Sequence, residues 1–494
     1  MSVLAAVDLG ASSGRVIAAR LDGNRIDLAE AARFPNRSVA VHGRLYWDVL
    51  GLWANVLDGL RAVGDAASIG VDSWAVDYGL IDAEGRLVAN PVCYRDARNA
   101  PARDRLLSEV DAAATFARTG IQHQPFNTVF QLAAETPAAL GNAGRLLLMP
   151  DLLTYWLSGA MACEATNAST TGLVAQATGT WDRELCAAAG IEVALLGTIT
   201  PTGTVLGRLL PEVAAATGLS EATKVIATAS HDTAAAVAAV PYEGEGAAYI
   251  SCGTWSLVGV ERDHPITSAA ALEAGFTNER GADGSIRFLR NVAGLWLLSE
   301  SIETWRREGL DVDLGDLLEA AANVERLRSV VDPDDDRFTD PGDMPERIRA
   351  YCAQTGQPVP AGPAEVAACV LDSLALAHRR TIEALEALTG EAITAVHIVG
   401  GGANNQLLCQ LTADATGRTV LAGPDEATAM GNALVQAGAL GLIEPGPQAR
   451  REAARASARP RRHTPQGPQG PWESAARRLK TPSLSRLRLE SFTQ

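Results

Sequence analysis

Lysine is almost missing from this chain. Only Lys224 and Lys480 occur among 494 residues, and neither follows a glycine-rich loop. A Walker-type nucleotide site needs GxxxxGK[ST], so that class is excluded. The seven cysteines show no CxxC spacing and the seven histidines are dispersed. This argues against a zinc site or a disulfide scaffold and for a reducing cytoplasm. Cys352 and Cys369 either approach one another or stand as two buried free thiols, and the second reading is preferred. No run approaches about 20 consecutive strongly apolar residues, so no membrane span is expected. Met1-Ser2-Val3 enters a strand without a basic region or a cleavable apolar helix, and no secretion signal is expected. A surplus of positive charge is also lacking. The net charge is −16, which disfavours nucleic acid as the main partner. The charge is uneven: residues 448–494 carry eleven Lys/Arg and three Asp/Glu, a net +8, leaving −24 for the rest.

What is present is the balance of an ordinary globular chain, 47% apolar and 20% charged. It is too long for one hydrophobic core, so two or more domains are expected. Near the start, Val7-Asp8-Leu9-Gly10-Ala11-Ser12-Ser13-Gly14-Arg15-Val16 sits between two apolar runs. It reads as strand, tight turn, strand, with glycines that let the backbone bend and approach a ligand. Such a turn is either a phosphate cradle with a metal-facing Asp8 or an ordinary polar hairpin. Helical spacing follows from Val49 to Leu60. Ser68–Asp82 then reads as a buried strand, a polar turn and a second strand. Its two carboxylates and two aromatics suit either a polyol or a plain hairpin. Pro91–Asn99 superficially resembles a protein-kinase catalytic loop, but its spacing is wrong and no Asp-Phe-Gly follows. The polar run Glu164–Gly172 could bond sugar hydroxyls or itself.

Lys224–Ala229 is a short strand running into Ser230-His231-Asp232-Thr233 and a small-residue helix. A carboxylate at a helix N-terminus is kept ionised, ready to accept a proton from a hydroxyl, or else it simply caps the helix. Pro241–Gly246 breaks the pattern and reads as a domain junction. Beyond it, Ala247–Val260 repeats the opening device of strand, small polar turn, strand, which points to two similar domains facing each other across a cleft. Ala364–Leu388 is a long amphipathic helix. Ala395–Val399 is a strand into Gly400-Gly401-Gly402, Arg418–Ala422 another strand, and Ala427 begins a closing helix. The triple glycine is not GxGxxG and no Rossmann acidic residue is recognisable downstream. The expected division is residues 1–242, 243–447, and a basic, partly ordered tail at 448–494.

The ordered set Asp8–Arg15, Ser68–Asp77, Tyr94-Arg95-Asp96, Ser230–Thr233, Ser251–Ser256, Asn291 and Gly400–Asn405 resembles the FGGY carbohydrate kinases, over roughly residues 3 to 445. Asp8-Leu9-Gly10-Ala11-Ser12-Ser13-Gly14-Arg15 and Ser230-His231-Asp232-Thr233-Ala234 are its most specific pieces. The resemblance implies an α/β fold of two actin-like, ribonuclease-H-like domains around a central cleft. It implies ATP-dependent, Mg²⁺-requiring phosphorylation of L-rhamnulose at O1, in L-rhamnose catabolism. By the same resemblance, Ala11, Ser12, Ser13, Gly14 and Arg15 contact the ATP phosphates and Asp8 faces the metal. Thr254, Ser299 and Gly401 bind the nucleotide. Asp232 is the general base, and Ala75, His231, Thr233 and Asn291 hold the sugar with it. The family's glycine is here Ala75, whose methyl trims the pocket, and its glutamine is here Ser299, whose side chain is shorter. The rival readings are a kinase of another ketose or deoxysugar, such as fuculose or xylulose, and a non-catalytic sugar or nucleotide sensor. The expected partners are the sugar and ATP, with no nucleic acid and no membrane, in a monomer or small homo-oligomer.

Overall fold

The computed structural model describes residues 2–242, 244 and 246–479. The chain divides into two units. The first holds the residues up to Pro241 with Glu261–Phe288 and Glu426–Arg459; the second holds Tyr242–Val260, Leu289–Asp425 and the residues from Pro460 on.

In the first unit the apolar opening run forms strand Ser2–Leu9, which turns back on Ser13–Asp22 as an antiparallel hairpin. Asp8 lies opposite Arg15 and Leu9 opposite Gly14. On its other side the first strand pairs in parallel with Ser68–Ser73, placing Asp8 beside Asp72, and that strand pairs in parallel with Lys224–Ala227. A parallel bridge from Ser73 to His231 extends this last pairing past the strand end. Three neighbouring parallel strands therefore deliver Asp8, Asp72 and His231-Asp232 to one edge of the sheet. In open α/β sheets the carboxyl ends of parallel strands are where ligands bind.

One face of this sheet is covered by helix Val49–Val63. Its Val49, Leu52, Val56 and Leu60 pack with Val7, Val16, Ile69, Val71 and Val225. Asp48 caps that helix, accepting from the Gly51 N–H at 3.1 Å. Helix Ala427–Ala439 brings Ala429 against Ala6 and Ile17. It also carries polar groups inside: Gln436 donates to the Ala5 carbonyl at 3.0 Å and accepts from Ser68 Oγ at 2.6 Å. Gly70 permits this approach, since a Cβ there would lie 2.5 Å from Asn432 Oδ1. Ser68–Ser73 and Tyr78–Ile81 form as the sequence predicts but do not pair; the second strand pairs instead with Arg145–Leu148.

The second unit opens on the same plan. Ala247–Cys252 and Trp255–Arg262 form an antiparallel hairpin, and Ala247–Cys252 pairs in parallel with Ala395–Val399. Thr419–Ala422 continues the sheet in parallel, and Arg461–His463 adds an antiparallel edge. The long helix spans 27 residues, Pro363–Thr389, with Val366, Val370, Leu371, Leu374 and Ile382 buried. The acidic loop after Val331 is tied down by arginines: Arg380 bonds Asp332 at 3.0 Å and Asp334 at 3.1 Å, and Arg290 bonds Asp334 at 3.1 Å.

The described part of the segment read as a tail is built of elements: helix Pro447–Ser457, strand Arg461–His463 and helix Gly470–Arg478. Residues 480–494 lie outside the described residues. All seven cysteines are free and buried. Among the described residues no helix is long and apolar enough to cross a membrane.

Candidate active site

The first unit concentrates carboxylates at the sheet edge described above. Asp8 is 6% exposed and bonded to Arg15, which also bonds Glu426. Burial pushes the Asp8 carboxyl up, Arg15 pulls it down, and the nearby charges of Asp232 and Glu426 raise it again. Asp72 is fully buried, and its carboxyl is raised well above the ordinary range by burial first and then by Asp8. Its Oδ2 accepts from Asn432 Nδ2 at 2.6 Å, while its Oδ1 has no hydrogen-bond partner among the described residues. A buried acceptor left without a partner is uncommon in a folded core. Neither Asp72, Glu426 nor Asn432 belongs to the site predicted from sequence. The parallel register of Asp8 with Asp72 is the signal that finds the first of them.

The Gly10–Gly14 turn is held from behind. Gly10 N donates to Ser13 O at 2.8 Å, while Asn36 donates from its backbone to Ser12 O at 3.0 Å and from its side chain to Gly10 O at 2.9 Å. Ser12 is exposed, and Ala11, Ser13 and Arg15 are half-buried. Gly14 is required by close packing, because a Cβ there would collide with the Phe34 ring.

Ser230–Thr233 is fastened to the polar run that the sequence left open. Glu164, fully buried, accepts from Ser230 Oγ at 2.8 Å, Thr166 Oγ1 at 2.5 Å and Asn167 N at 3.2 Å. His231 N donates to Thr166 Oγ1 at 3.2 Å. Glu164 and Thr166 thus bond within the protein. The helix that follows is Asp232–Ala238, seven residues, with His231 in the capping position. Asp232 is its first residue and not its cap. Asp232 Oδ1 accepts from Thr233 N and from Thr233 Oγ1 at 3.0 Å, and His231 Nε2 lies 3.4 Å from the same oxygen. Oδ2 makes no hydrogen bond among the described residues, and the side chain is 32% exposed. Helix Ala427–Ala439 backs this helix at Gly431, where a Cβ would run into the Ala235 carbonyl.

Ala75 is half-buried in the turn between Trp74 and Asp77. Asp77 is fully buried and accepts from Trp74 Nε1 at 3.0 Å, Gln131 Nε2 at 2.9 Å, Tyr94 N at 3.1 Å and Trp47 Nε1. Burial pushes its carboxyl up to about 6 against those four bonds. Both its oxygens serve the protein, so Asp77 anchors the turn and does not grip a polyol. Val76 sits at φ 70°, a strained conformation for a β-branched residue, and its carbonyl accepts from Thr128 Oγ1 at 2.7 Å.

In the second unit, Thr254, Ser299 and Gly401 are exposed and Asn291 is half-buried. The hairpin turn meets the turn before helix Trp296–Arg307: Leu295 N donates to Gly253 O at 2.9 Å and Trp296 N to Thr254 O at 3.2 Å. Gly294 makes this possible, as its Cβ would lie 2.7 Å from both carbonyls. Gly402 packs so closely on Cys252 that a Cβ would overlap its sulfur. The triple glycine and the Thr254 hairpin are therefore neighbours. Ser299 is one turn into the adjoining helix.

Solved structures share this architecture. The xylulose kinase from Rhodospirillum rubrum superposes with a TM-score of 0.78 at 21% identity, covering 98% of each chain. The ADP-bound glycerol kinase from Plasmodium falciparum gives 0.78 at 14% identity, covering 100% of this chain and 99% of that one. The fold is that of the two-domain sugar and glycerol kinases. The N-terminal domain model of the FGGY family of carbohydrate kinases matches residues 3–238, and the C-terminal domain model matches residues 248–440. The chain belongs to the FGGY family of carbohydrate kinases. Among its curated relatives, the rhamnulokinase of Bacteroides thetaiotaomicron is 42% identical over 443 residues, 88% of this chain and 90% of that protein. The rhamnulokinase of Oceanobacillus iheyensis is 40% identical over 452 residues, 90% of this chain and 95% of that protein.

Proposed function

We propose that this chain transfers the γ-phosphoryl group of ATP to the 1-hydroxyl of L-rhamnulose, with Asp232 as general base. The observation that carries the reading is the 40% and 42% identity, over about nine-tenths of both lengths, to proteins named rhamnulokinase. The geometry supports the division of labour. Asp232 Oδ1 is engaged by Thr233 and faced by His231, which leaves Oδ2 to take the proton of the sugar hydroxyl. The O1 oxygen attacks the γ-phosphorus as that proton leaves, and the bond to the β-phosphate oxygen breaks to release ADP. His231, Thr233, Asn291 and the turn at Ala75 hold the sugar. The methyl of Ala75 trims that pocket.

Ala11 to Arg15 receive phosphate oxygens at the first hairpin, and Thr254 does so in the second unit. Gly401 leaves room for the nucleoside, and Ser299 lies beside it with a short side chain. The metal reading is Mg²⁺. Among the described residues no group of three or more His, Cys, Asp or Glu forms a cage for an ion. Asp8 and the unpaired Oδ1 of Asp72 fit an ion that arrives with the nucleotide, since Mg²⁺ is usually held by one or two carboxylates and substrate phosphates. Bound there, it would neutralise phosphate charge. Seven buried free thiols suit a cytoplasmic setting.

A coupled ADP-release assay over L-rhamnulose, L-fuculose and D-xylulose tests the proposal. The highest kcat/KM is expected for L-rhamnulose. A clear preference for another ketose would reassign the substrate, and nucleotide binding without ADP release on any sugar would favour the sensor.

A further inference from the structure

A charged pair sits behind His231. Glu279 lies on strand Thr277–Arg280 and Arg287 on Ile286–Ala293, and both belong to the first unit. Arg287 is 0% exposed and Glu279 7%. The guanidinium donates from Nη2 to Glu279 Oε2 at 2.9 Å and from Nε to the Arg280 carbonyl at 3.1 Å. Burial alone would raise the Glu279 carboxyl; the Arg287 guanidinium opposes it, and the carboxyl stands below its ordinary range. An ion pair taken this far from water costs several kcal/mol of desolvation per ion. Packing alone gives no reason for it, since apolar side chains would fill the same space.

Its geometry gives a reason. Arg287 Nη2 lies 3.0 Å from His231 Nδ1, and Glu279 Oε2 lies 3.3 Å from the same nitrogen. A guanidinium carries donors only. The shorter contact is therefore a hydrogen bond only if Nδ1 presents its lone pair. The proton of the neutral imidazole is then on Nε2, and Nε2 is the nitrogen 3.4 Å from Asp232 Oδ1. The other tautomer would set an N–H against the guanidinium and a lone pair against the Asp232 carboxylate. Its one gain is the longer contact to Glu279.

We infer that Glu279 and Arg287 are positioning residues that hold His231 as its Nε2–H tautomer, so that the imidazole donates toward Asp232. The pair would thus act through His231, in the manner of a third group orienting an active-site histidine. The functional side of the inference rests on reading Asp232 as the base; the tautomer itself does not. With Thr233 bonded to Oδ1 and His231 Nε2 3.4 Å from it, a proton on Nε2 would steady the carboxylate plane and leave Oδ2 for the substrate.

The tautomer can be read directly. Long-range ¹H–¹⁵N spectra of the full ¹⁵N-labelled chain, at a pH where the imidazole is neutral, distinguish a protonated from an unprotonated ring nitrogen. The His231 signals are those that disappear in His231→Gln. An unprotonated Nδ1 and a protonated Nε2 are expected; the reverse pattern overturns the inference. Glu279→Leu/Arg287→Met removes the pair without stranding one buried charge. In that variant His231 should lose its single tautomer and kcat should fall about tenfold or more, with KM for ATP within about twofold. Arg287→Lys keeps a donor and should restore the Nε2–H pattern. A folded double variant with an unchanged tautomer and unchanged kcat overturns the inference. If the double variant fails to fold, the wild-type spectrum still decides. If the wild type turns over no sugar, the proposed activity fails while the tautomer result stands or falls separately.

Discussion

Asp232→Asn separates chemistry from architecture. The substitution keeps an acceptor at Oδ1 for the Thr233 N–H and hydroxyl, and it alters a side chain that is 32% exposed. What it removes is the negative charge and the ability to take a proton. Positioned general bases contribute about 10²–10⁴-fold, so kcat should fall by that factor, or about 2.7–5.5 kcal/mol of barrier. Stability should move the other way. The Asp232 charge is among the groups raising the carboxyls of Asp8 and Asp72, so neutralising it relieves repulsion inside the cluster. A small gain in stability is expected, because Asp232 is only one of the charges raising those carboxyls. The assays are steady-state ADP release at saturating sugar and ATP, and thermal unfolding. Retention of more than a tenth of kcat refutes the assignment of the base. A clear fall in Tm would instead make Asp232 a structural residue.

Three further outcomes are expected. Gly431→Ala drives a methyl into the Ala235 carbonyl, so it should cost about 1–3 kcal/mol in chemical denaturation and lower kcat by displacing the helix that starts at Asp232. Asp72→Asn replaces the carboxyl group whose Oδ1 is unpaired, so the Mg²⁺ concentration for half-maximal activity should rise about tenfold while the fold is retained; an unchanged requirement removes Asp72 from the metal's surroundings. Asp372, buried in the second unit, accepts from Leu327 N at 2.7 Å, and burial lifts its carboxyl from 3.8 to about 6 despite Arg326. A folded pKa above the unfolded one stabilises the native state fully below 3.8 and loses that contribution as pH rises through about 6. The stability of the wild type relative to Asp372→Asn should therefore fall by about 3 kcal/mol between those limits, and a rise would refute the burial argument.

Local chemistry carried part of this protein in the sequence itself. The Gly10–Gly14 and Ser251–Thr254 turns, the run into Ser230–Thr233 and the long helix over residues 363–389 depend on neighbours within a few positions. Apolar period, turn residues and spacing record them directly. The family motifs are of the same kind, short and contiguous. Other features depend on groups far apart in the chain. Asp72 enters the site because its strand pairs in parallel with the first strand, and its second partner, Asn432, is 360 positions away. Glu164 looked like one more polar loop residue until folding placed Ser230 against it, 66 positions on. The turn at Ala75 read as a hairpin tip, yet its strands part, because Asp77 is anchored by two indoles and Gln131 and the second strand pairs with Arg145–Leu148. The Glu279–Arg287 pair left no mark in any periodicity, since a buried ion pair is legible only once both ions and the histidine they face are in place. Contiguous motifs named the chemistry; burial and long-range pairing decided which carboxylates stay engaged with the protein and which face a substrate.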